Sequence, residues 1–394
     1  MTPVMIAFTF PGQGSQAPGM GGAWRDHPSW ELVGEASEAS GRDVERLLLD
    51  APAEELTETR NSQLATFVTS MVVLDAVERT GVEAAFHAGH SLGEYSALTA
   101  AGSLSFEDGI KLVAERGEAM QAAADARHGT MAAVLGLDDD KVELACSRTD
   151  GDVWVANYNA PGQVVIAGDA DAITAAGAIA KELGAKRTLA IKVGGAFHTP
   201  FMSPARDRLR KAIAEADIRD PSRPVIANVD AEAHTDGRDW GSLLGAQLTS
   251  PVRWRQTLHH LDSRGVTVLL ELGPGTVLTG MAKRTLSGTT NLSVNTPDDV
   301  DRLLDNLSRA SETAAVHEGE VLYAIERLVV SPATGVFDPD AGLAAGAPIA
   351  AGQLVGTVGA HEVRSPFTGS LEGMLAFAGE RVTTSQPIAW LRTS

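Results

Sequence analysis

A serine between two glycines, in Gly89-His90-Ser91-Leu92-Gly93, constrains the fold of this chain more than any other stretch. A short apolar segment, 84–88, precedes it, and a run rich in helix formers, 94–101, follows it. In a G-x-S-x-G turn the glycines permit a sharp, strained passage from strand to helix, which lifts the serine hydroxyl to the edge of a sheet. The alternative is an ordinary turn between a strand and a helix. Because both flanks fit, we predict a nucleophile elbow with Ser91 as the nucleophile.

Composition and charge limit the classes of partner and compartment. The chain has 394 residues, 44 % of them hydrophobic and 21 % charged, which is long enough for more than one globular domain. A formal net charge of −19 argues against a nucleic-acid partner or an anionic membrane surface, because both need clustered basic side chains. The single cysteine, Cys146, cannot form an internal disulfide. No apolar run reaches the ~18 residues of a membrane span, so we expect a cytoplasmic protein with no membrane partner.

Strands and helices alternate over most of the chain, which indicates an α/β fold. An apolar strand, 4–10, comes first, and residues 61–80 carry apolar side chains at helical spacing. Ser105 and Asp108 form a capping box that starts a helix ending near residue 124. Further along we predict a helix from Pro204, a strand at 224–229, helices near Trp240 and Trp254, a strand at 266–272, a helix after Gly275 and a last helix at 298–310.

Residues 129–193 interrupt this alternation with a predicted β-α-β-β-α-β order, which is the ferredoxin-like arrangement. We therefore predict an α/β-hydrolase-like core formed by 1–128 and 194–310, with 129–193 as an inserted ferredoxin-like subdomain. The polar, alanine-rich stretch 311–319 lacks periodicity and is predicted to be a linker.

An internal repeat marks the remaining residues, 320–394. Ser331-Pro332-Ala333-Thr334-Gly335 recurs as Ser365-Pro366-Phe367-Thr368-Gly369, and short predicted strands lie between glycine and proline turns in both halves. This pattern predicts a small all-β domain built from two similar halves.

A serine hydroxyl is a weak nucleophile, so Ser91 needs a neutral imidazole within hydrogen-bonding reach. The chain contains 10 histidines. Spacing alone does not select His198 over His87, His90 or His234, and each of these could equally be a structural or surface residue.

Five separated motifs together resemble the malonyl-CoA:acyl-carrier-protein transacylase family. They are Phe10–Gln16, Gly89–Leu98, Asn157–Gly168, Ala196–His198 and Glu271–Gly280, and the resemblance extends over about residues 4–309. It implies a serine acyltransferase of fatty-acid or polyketide synthesis. Such an enzyme moves malonyl from malonyl-CoA to the phosphopantetheine thiol of acyl carrier protein. Coenzyme A enters as a thioester substrate, and no bound cofactor or metal is expected.

The resemblance also implies roles for the catalytic residues. It selects His198 as the base of Ser91, and the backbone carbonyl of Gln247, rather than a carboxylate, as the partner that orients this imidazole. The backbone N–H groups of Gln13 and Leu92 are implied to form the oxyanion hole. We therefore expect a catalytic pair without an aspartate.

Two further residues are implied to select the acyl group. Removing the malonyl carboxylate from water requires a paired cation, and Arg116 matches the family's carboxylate-binding arginine. Phe197 and Leu92 resemble those of malonyl-selective members, in which bulky side chains leave little room for an α-methyl group. Steric discrimination of this kind is limited to about 1–3 kcal/mol.

The repeat in 320–394 resembles the barrel-sandwich fold of biotinyl and lipoyl domains. Those domains carry the prosthetic group on a lysine in a hairpin, but the corresponding hairpin here, near Val358, has no lysine, nor has any position after Lys283. We therefore expect neither biotin nor lipoyl, and instead a structural or docking domain.

Two alternatives remain at this stage. A serine hydrolase or thioesterase would use the same elbow with water as the acceptor, and would need an acid between Ser91 and His198, for which Asp125, Asp152 and Asp169 are available. A non-enzymatic scaffold, carried by the C-terminal domain, is the other.

Overall fold

The computed structural model describes residues 4–315 and 326–392, and it divides into two compact units, 1–306 and 307–394. The strands of the first unit are β1 Ile6–Phe10, β2 Phe86–Gly89, β3 Thr130–Leu135, β4 Val153–Ala160, β5 Gln163–Gly168, β6 Arg187–Ile191, β7 Val225–Ile226, β8 Ala233–His234, β9 Val268–Leu272 and β10 Thr290–Val294. Its helices are α1 Glu31–Ser40, α2 Val44–Leu49, α3 Ala53–Thr57, α4 Thr59–Glu78, α5 Gly93–Ala100, α6 Phe106–Ala126, α7 Asp139–Ser147, α8 Ala170–Glu182, α9 Ser203–Glu215, α10 Trp240–Gln247, α11 Trp254–Ser263, α12 Val277–Thr285 and α13 Pro297–Ala315, the last of which continues past residue 306.

A twisted, mostly parallel sheet forms the centre of the first unit, which makes the fold α/β as predicted. Its strand order is β10-β9-β1-β2-β7-β8, with parallel pairing throughout except between β7 and β8. Strands β1 and β2 are adjacent and parallel, so the loops that follow them emerge side by side at the carboxyl ends of the strands, with β9 on the other side of β1. Ligand sites of open α/β sheets form at this kind of position.

A second sheet of the same unit has the order β4-β5-β3-β6 and is antiparallel throughout. Helices α7 and α8 pack on it around a core that includes Val134, Val142, Ile166 and Ala176. The residues that form it lie between α6 and the segment that carries His198.

The second unit is all β within its described residues. Its strands are β11 Glu326–Val330, β12 Gly335–Pro339, β13 Pro348–Ile349, β14 Leu354–Val358, β15 His361–Arg364, β16 Gly369–Met374, β17 Arg381–Val382 and β18 Pro387–Arg392. They form two sheets of order β11-β18-β16-β13 and β15-β14-β12-β17, and Phe337, Val355, Leu371 and Ile388 lie in the core they share.

The sequence repeat has a matching repeat of hydrogen bonds. The Ser331 hydroxyl donates to the carbonyl of Ala333 over 2.6 Å, and the Ser365 hydroxyl donates to that of Phe367 over 2.7 Å. The Gln353 side chain accepts from Ala350 N–H, as that of Gln386 does from Thr383 N–H. Equivalent residues of the two halves therefore close equivalent turns.

Several element boundaries differ from the sequence predictions. Helix α13 ends at Ala315 rather than Ala310, because Ser311–Ala315 contains neither glycine nor proline and includes the helix formers glutamate and alanine. The predicted linker 311–319 is thus helical in its first part, and 316–319 lie outside the described residues, as do 320–325 and 393–394. The strand predicted at 224–229 contains only Val225 and Ile226, because the chain then turns back into β8.

Helices α1–α3 and strand β10 were not predicted. Among the described residues, no helix is long and apolar enough to cross a membrane.

Candidate active site

Ser91 lies between β2 and α5 in a left-handed backbone conformation, with φ 54°. Gly89 and Gly93 must be glycine because a side chain at either position would clash with the backbone. A Cβ on Gly89 would lie 1.8 Å from the carbonyl oxygen of Gly93, and a Cβ on Gly93 would lie 2.1 Å from that of Phe10. Left-handed backbone at a non-glycine residue is strained and persists only where its surroundings impose it. The described geometry is that of a nucleophile elbow.

Asn228, just after β7, holds this turn. Its side-chain oxygen accepts from the Ser91 N–H over 2.7 Å, and its side-chain nitrogen donates to the Gly89 carbonyl over 2.7 Å. Asn228 was not predicted from the sequence as a site residue. The available signal was weak: a polar residue that follows a short apolar strand at the edge where the elbow lies.

His198 is the histidine that faces the serine. Its Nε2 lies 2.7 Å from Ser91 Oγ, and its Nδ1 lies 2.9 Å from the backbone carbonyl of Gln247. A carbonyl only accepts hydrogen bonds, so Nδ1 carries the proton and Nε2 is free to accept the serine proton. Burial, and secondarily the positive charge of Arg116, lower the pKa of His198 to about 3. The imidazole is therefore neutral at physiological pH, as a general base must be.

The other candidate histidines have different partners. The His90 side chain is bonded to Asn159 over 2.9 Å, and His234 lies between Asp230 and Asp239. His87 is buried, with its ring centroid 5.6 Å from that of Phe8. Each of the three therefore makes contacts that do not involve the Ser91 hydroxyl.

The acids that a hydrolase triad would need pair elsewhere. Asp152 and Asp169 both contact Arg127, at 2.6 and 3.6 Å, and Asp125 accepts from Gln121 over 2.9 Å. The position next to His198 Nδ1 is occupied by a carbonyl.

Arg116 places a positive charge beside the Ser91 hydroxyl. Its side chain is 1 % exposed, and its Nη2 donates to Ser91 Oγ over 3.1 Å and to the side-chain oxygen of Gln247 over 2.9 Å. Its Nη1 donates to the side-chain oxygen of Gln63 over 2.6 Å. These three hydrogen bonds use three of the five N–H groups of the guanidinium, and among the described residues its buried Nε has no hydrogen-bond partner. Burial lowers the pKa of Arg116, but a guanidinium stays charged in proteins.

Gln63 was not predicted as a site residue. It lies on α4, whose side chains are buried nearly all round the helix, so periodicity did not single it out.

A cavity of about 170 Å³ lies between the elbow and the antiparallel sheet. The residues predicted from the sequence that line it are Gln13, Ser91, Arg116, Phe197 and His198. Gln247 lies behind Arg116 and His198 and contacts both. Leu92 is fully buried at the N-terminus of α5. The structure thus brings the predicted residues together in and behind one cavity.

The loop after β1 is held against the elbow. A Cβ on Gly12 would lie 2.5 Å from the carbonyl oxygen of His90, so only glycine permits this approach. The approach brings Gln13 to the wall of the cavity that also contains Ser91.

Comparisons with known proteins agree with this geometry. The family model described as "Acyl transferase domain" matches residues 7–314. A malonyl CoA-acyl carrier protein transacylase of Bacillus subtilis is 40 % identical over 314 residues, which cover 78 % of this chain and 99 % of that protein. The crystal structure of an acyl carrier protein S-malonyltransferase from Vibrio cholerae aligns with a TM-score of 0.73 and 42 % identity, covering 76 % of this chain and 99 % of that one.

A third relative was solved together with its protein partner. This structure, of a type II PKS acyl-carrier protein in complex with its malonyl-transacylase, aligns with a TM-score of 0.74 and 37 % identity, covering 77 % of this chain and 99 % of that one. A half-buried serine bonded to a buried histidine and to an arginine is thus found in a chain that matches these enzymes over nearly their full length. The chain belongs to the acyl transferase family and, within it, to the malonyl-CoA–acyl-carrier-protein transacylases.

Proposed function

We infer that this chain transfers malonyl from malonyl-CoA to the phosphopantetheine thiol of acyl carrier protein through a malonyl ester of Ser91. The observation that carries this inference is a guanidinium 3.1 Å from the nucleophile of a serine–histidine pair. The acyl groups that best use such a cation carry a carboxylate near the reacting carbonyl. In malonyl a single methylene separates the two.

The first half-reaction forms the ester. Ser91 Oγ attacks the thioester carbonyl while its proton passes to His198 Nε2, and His198 Nδ1 keeps its hydrogen bond to the Gln247 carbonyl. The tetrahedral intermediate collapses by breaking the C–S bond, and the coenzyme A sulfur takes the proton from Nε2.

We assign the oxyanion hole to the backbone N–H groups of Leu92 and Gln13. The Ser91 N–H already donates to Asn228, so it is committed to holding the turn. Leu92 directly precedes α5, where the helix dipole favours negative charge. Removing one donor of an oxyanion hole typically costs about 3–4 kcal/mol of transition-state stabilisation.

The second half-reaction reverses the first with a different thiol. The phosphopantetheine thiol gives its proton to His198 Nε2 and attacks the ester carbonyl, and Ser91 Oγ leaves with that proton. Coenzyme A must depart before the carrier enters, so the cycle is ping-pong. The carrier belongs to either fatty-acid or polyketide synthesis.

We assign Phe197 to the wall that limits the acyl group. It directly precedes the base and lines the cavity, so an α-methyl group would compete with its ring for space. Steric selection of this kind gives about 1–3 kcal/mol.

We also propose a finer description of the fold. The order β4-β5-β3-β6 is the one expected of a ferredoxin-like subdomain inserted in an α/β-hydrolase-like core. The paired sheets and repeated turns of the second unit support a barrel-sandwich of the biotinyl or lipoyl type. Its hairpin between β14 and β15 turns at Gly359 and Ala360, neither of which can carry either group. We propose that this domain is unmodified and serves stability or docking.

The test is the intact mass of the protein after mixing with malonyl-CoA, followed by addition of a phosphopantetheinylated carrier. A gain of one malonyl group that maps to Ser91 and passes to the carrier supports the proposal. Loss of the label to water at the same rate with and without the carrier would instead identify a hydrolase.

A further inference from the structure

Glu94 is a buried carboxylate one helical turn after the nucleophile, and the transfer chemistry above does not use it. Its side chain is 1 % exposed. One oxygen, Oε1, accepts from the Asn228 N–H over 2.6 Å, and the other, Oε2, accepts from the side-chain nitrogen of Gln247. Both partners are amide donors, so the site requires a side chain with an acceptor at each of two positions.

The hydrogen bond from Gln247 determines which way its amide points. The nitrogen end donates to Glu94 and also to the Ser91 carbonyl over 2.9 Å, whereas the oxygen end accepts from Arg116 Nη2 over 2.9 Å. A reversed amide would place an NH₂ group against the guanidinium, and two donors repel. The acceptor at Glu94 thus keeps the oxygen of Gln247 toward Arg116.

We propose that Glu94 is a positioning residue that aims the Gln247 oxygen at Arg116 and thereby holds the guanidinium where it binds an acyl carboxylate. The preference for carboxylated over plain acyl groups therefore depends on a residue that touches neither the substrate nor the arginine. This inference rests on the transferase function proposed above.

The hydrogen bond from the Asn228 N–H fixes Glu94 relative to the elbow. Through the Asn228 backbone, Glu94 is tied to the side chain that bonds both Ser91 N–H and the Gly89 carbonyl. The same carboxylate therefore holds the elbow through Asn228 and the arginine through Gln247. Burial raises the pKa of Glu94, whereas its hydrogen bonds from Asn228 and Gln247 and the charge of Arg116 lower it. Because each oxygen accepts from an N–H group, this arrangement is that of the ionised carboxylate.

A second buried glutamate provides a matched control. Glu271 is also 1 % exposed, and its two oxygens accept from the N–H groups of Leu278 and Thr279 over 3.0 and 2.7 Å. Glu271 thus accepts hydrogen bonds from N–H groups in the first turn of α12 and makes no hydrogen bond to Arg116, Gln247 or Ser91. Loss of its charge should lower stability without changing acyl selectivity.

The experiment compares Glu94→Gln with Glu271→Gln in the full chain. For each variant, the rate of Ser91 acylation is measured with malonyl-CoA and with acetyl-CoA, together with the Tm. Glutamine keeps the size of the side chain but leaves one oxygen for two donors. We expect Glu94→Gln to lower the malonyl-to-acetyl ratio of kcat/KM by about 10-fold or more, the equivalent of one charge-assisted hydrogen bond. We expect Glu271→Gln to lower the Tm with an unchanged ratio. A Glu94→Gln protein with a lower Tm and the wild-type ratio would overturn the proposal.

Gln247→Met removes the other partner of the hydrogen bond between Glu94 and Gln247. If Glu94→Gln does not fold, this variant alone tests the proposal. Methionine keeps the length of the side chain and removes the amide. We expect the same fall in the ratio, and no further fall in the double variant, because both residues act through one contact. A wild-type ratio in Gln247→Met, or falls that add in the double variant, would contradict the proposal. A wild-type protein that acquires no malonyl would refute the proposed function itself, independently of Glu94.

Discussion

Replacing Arg116 with alanine separates substrate selection from the chemistry of Ser91. Acetyl-CoA lacks the carboxylate, so the arginine should matter for one donor and not for the other. In the structure its guanidinium is 3.1 Å from Ser91 Oγ and bonds two buried amide oxygens, those of Gln63 and Gln247. The substitution therefore has an effect on the substrate and a separate effect on stability.

The two magnitudes follow from these contacts. A hydrogen bond to a charged group contributes about 1.5–3 kcal/mol, so loss of one carboxylate contact should lower kcat/KM for malonyl-CoA by about 10-fold to 150-fold. The oxygens of Gln63 and Gln247 would each lose a donor while buried, at a cost of about 1–3 kcal/mol apiece to the folded state. We therefore expect a lower Tm, together with a rate loss confined to malonyl-CoA.

A change in pH dependence should accompany this loss. The positive charge of Arg116 is one of the causes that lower the pKa of His198, after burial, and the truncated side chain also admits water. Both changes raise the pKa of His198 in the variant. Because the base works only when neutral, the acid-side decline of acylation should move to higher pH, with activity lost as the pH falls through the raised pKa.

The assay is the rate of Ser91 acylation by malonyl-CoA and acetyl-CoA as a function of pH. Arg208→Ala is the control, because Arg208 is an arginine paired with Glu115 at the protein surface. Equal losses for both donors would refute the assignment of Arg116 to the substrate carboxylate. An acid limb that stays in place would contradict the effect of Arg116 on the pKa of His198.

Three further outcomes are expected. Ser91→Ala should acquire no acyl mass from malonyl-CoA, and an adduct of the same mass on this variant would remove Ser91 as the nucleophile. Phe197→Ala should narrow the preference for malonyl-CoA over methylmalonyl-CoA by roughly 10-fold, within the 1–3 kcal/mol available to steric selection, as measured by competing the two donors; an unchanged preference would place the wall elsewhere. A chain ending at Ala315 should keep kcat/KM within about 10-fold of the full chain, because the relative from Bacillus subtilis is covered over 99 % of its length by 78 % of this chain; a larger loss in soluble protein would make the second unit part of the active site.

The fold was predictable where local patterns are strong. The elbow depends on glycines that no other residue can replace, and Ser105 caps α6 by accepting from the Asp108 N–H over 3.0 Å. By contrast, β10 pairs at the outer edge of the parallel sheet, and its residues alternate only weakly between apolar and polar. Residues 290–294 form a strand because they pair with β9, and the periodicity of their own sequence does not reveal this pairing.

The site was predictable only where a motif marks a residue. Ser91 has its glycines, but His198, Arg116 and Gln247 were identified by resemblance, since their own spacing carries no signal. Glu94 lies among helix formers and looks like an ordinary surface charge. Asn228 and Gln63 act through contacts with residues far away in sequence, 137 positions from Ser91 and 53 from Arg116. Such contacts exist only once the chain is folded.

Ser91 and His198 share a property beyond the proton they exchange. Both have left-handed backbone, with φ 54° and 61°, which L-residues other than glycine adopt at a cost of about 1–3 kcal/mol. Glycine at either position would relax the backbone and abolish transfer at the same time. The two side chains that the proposed reaction requires therefore stand on the backbone positions where glycine would cost least, so at both positions function and backbone preference oppose each other.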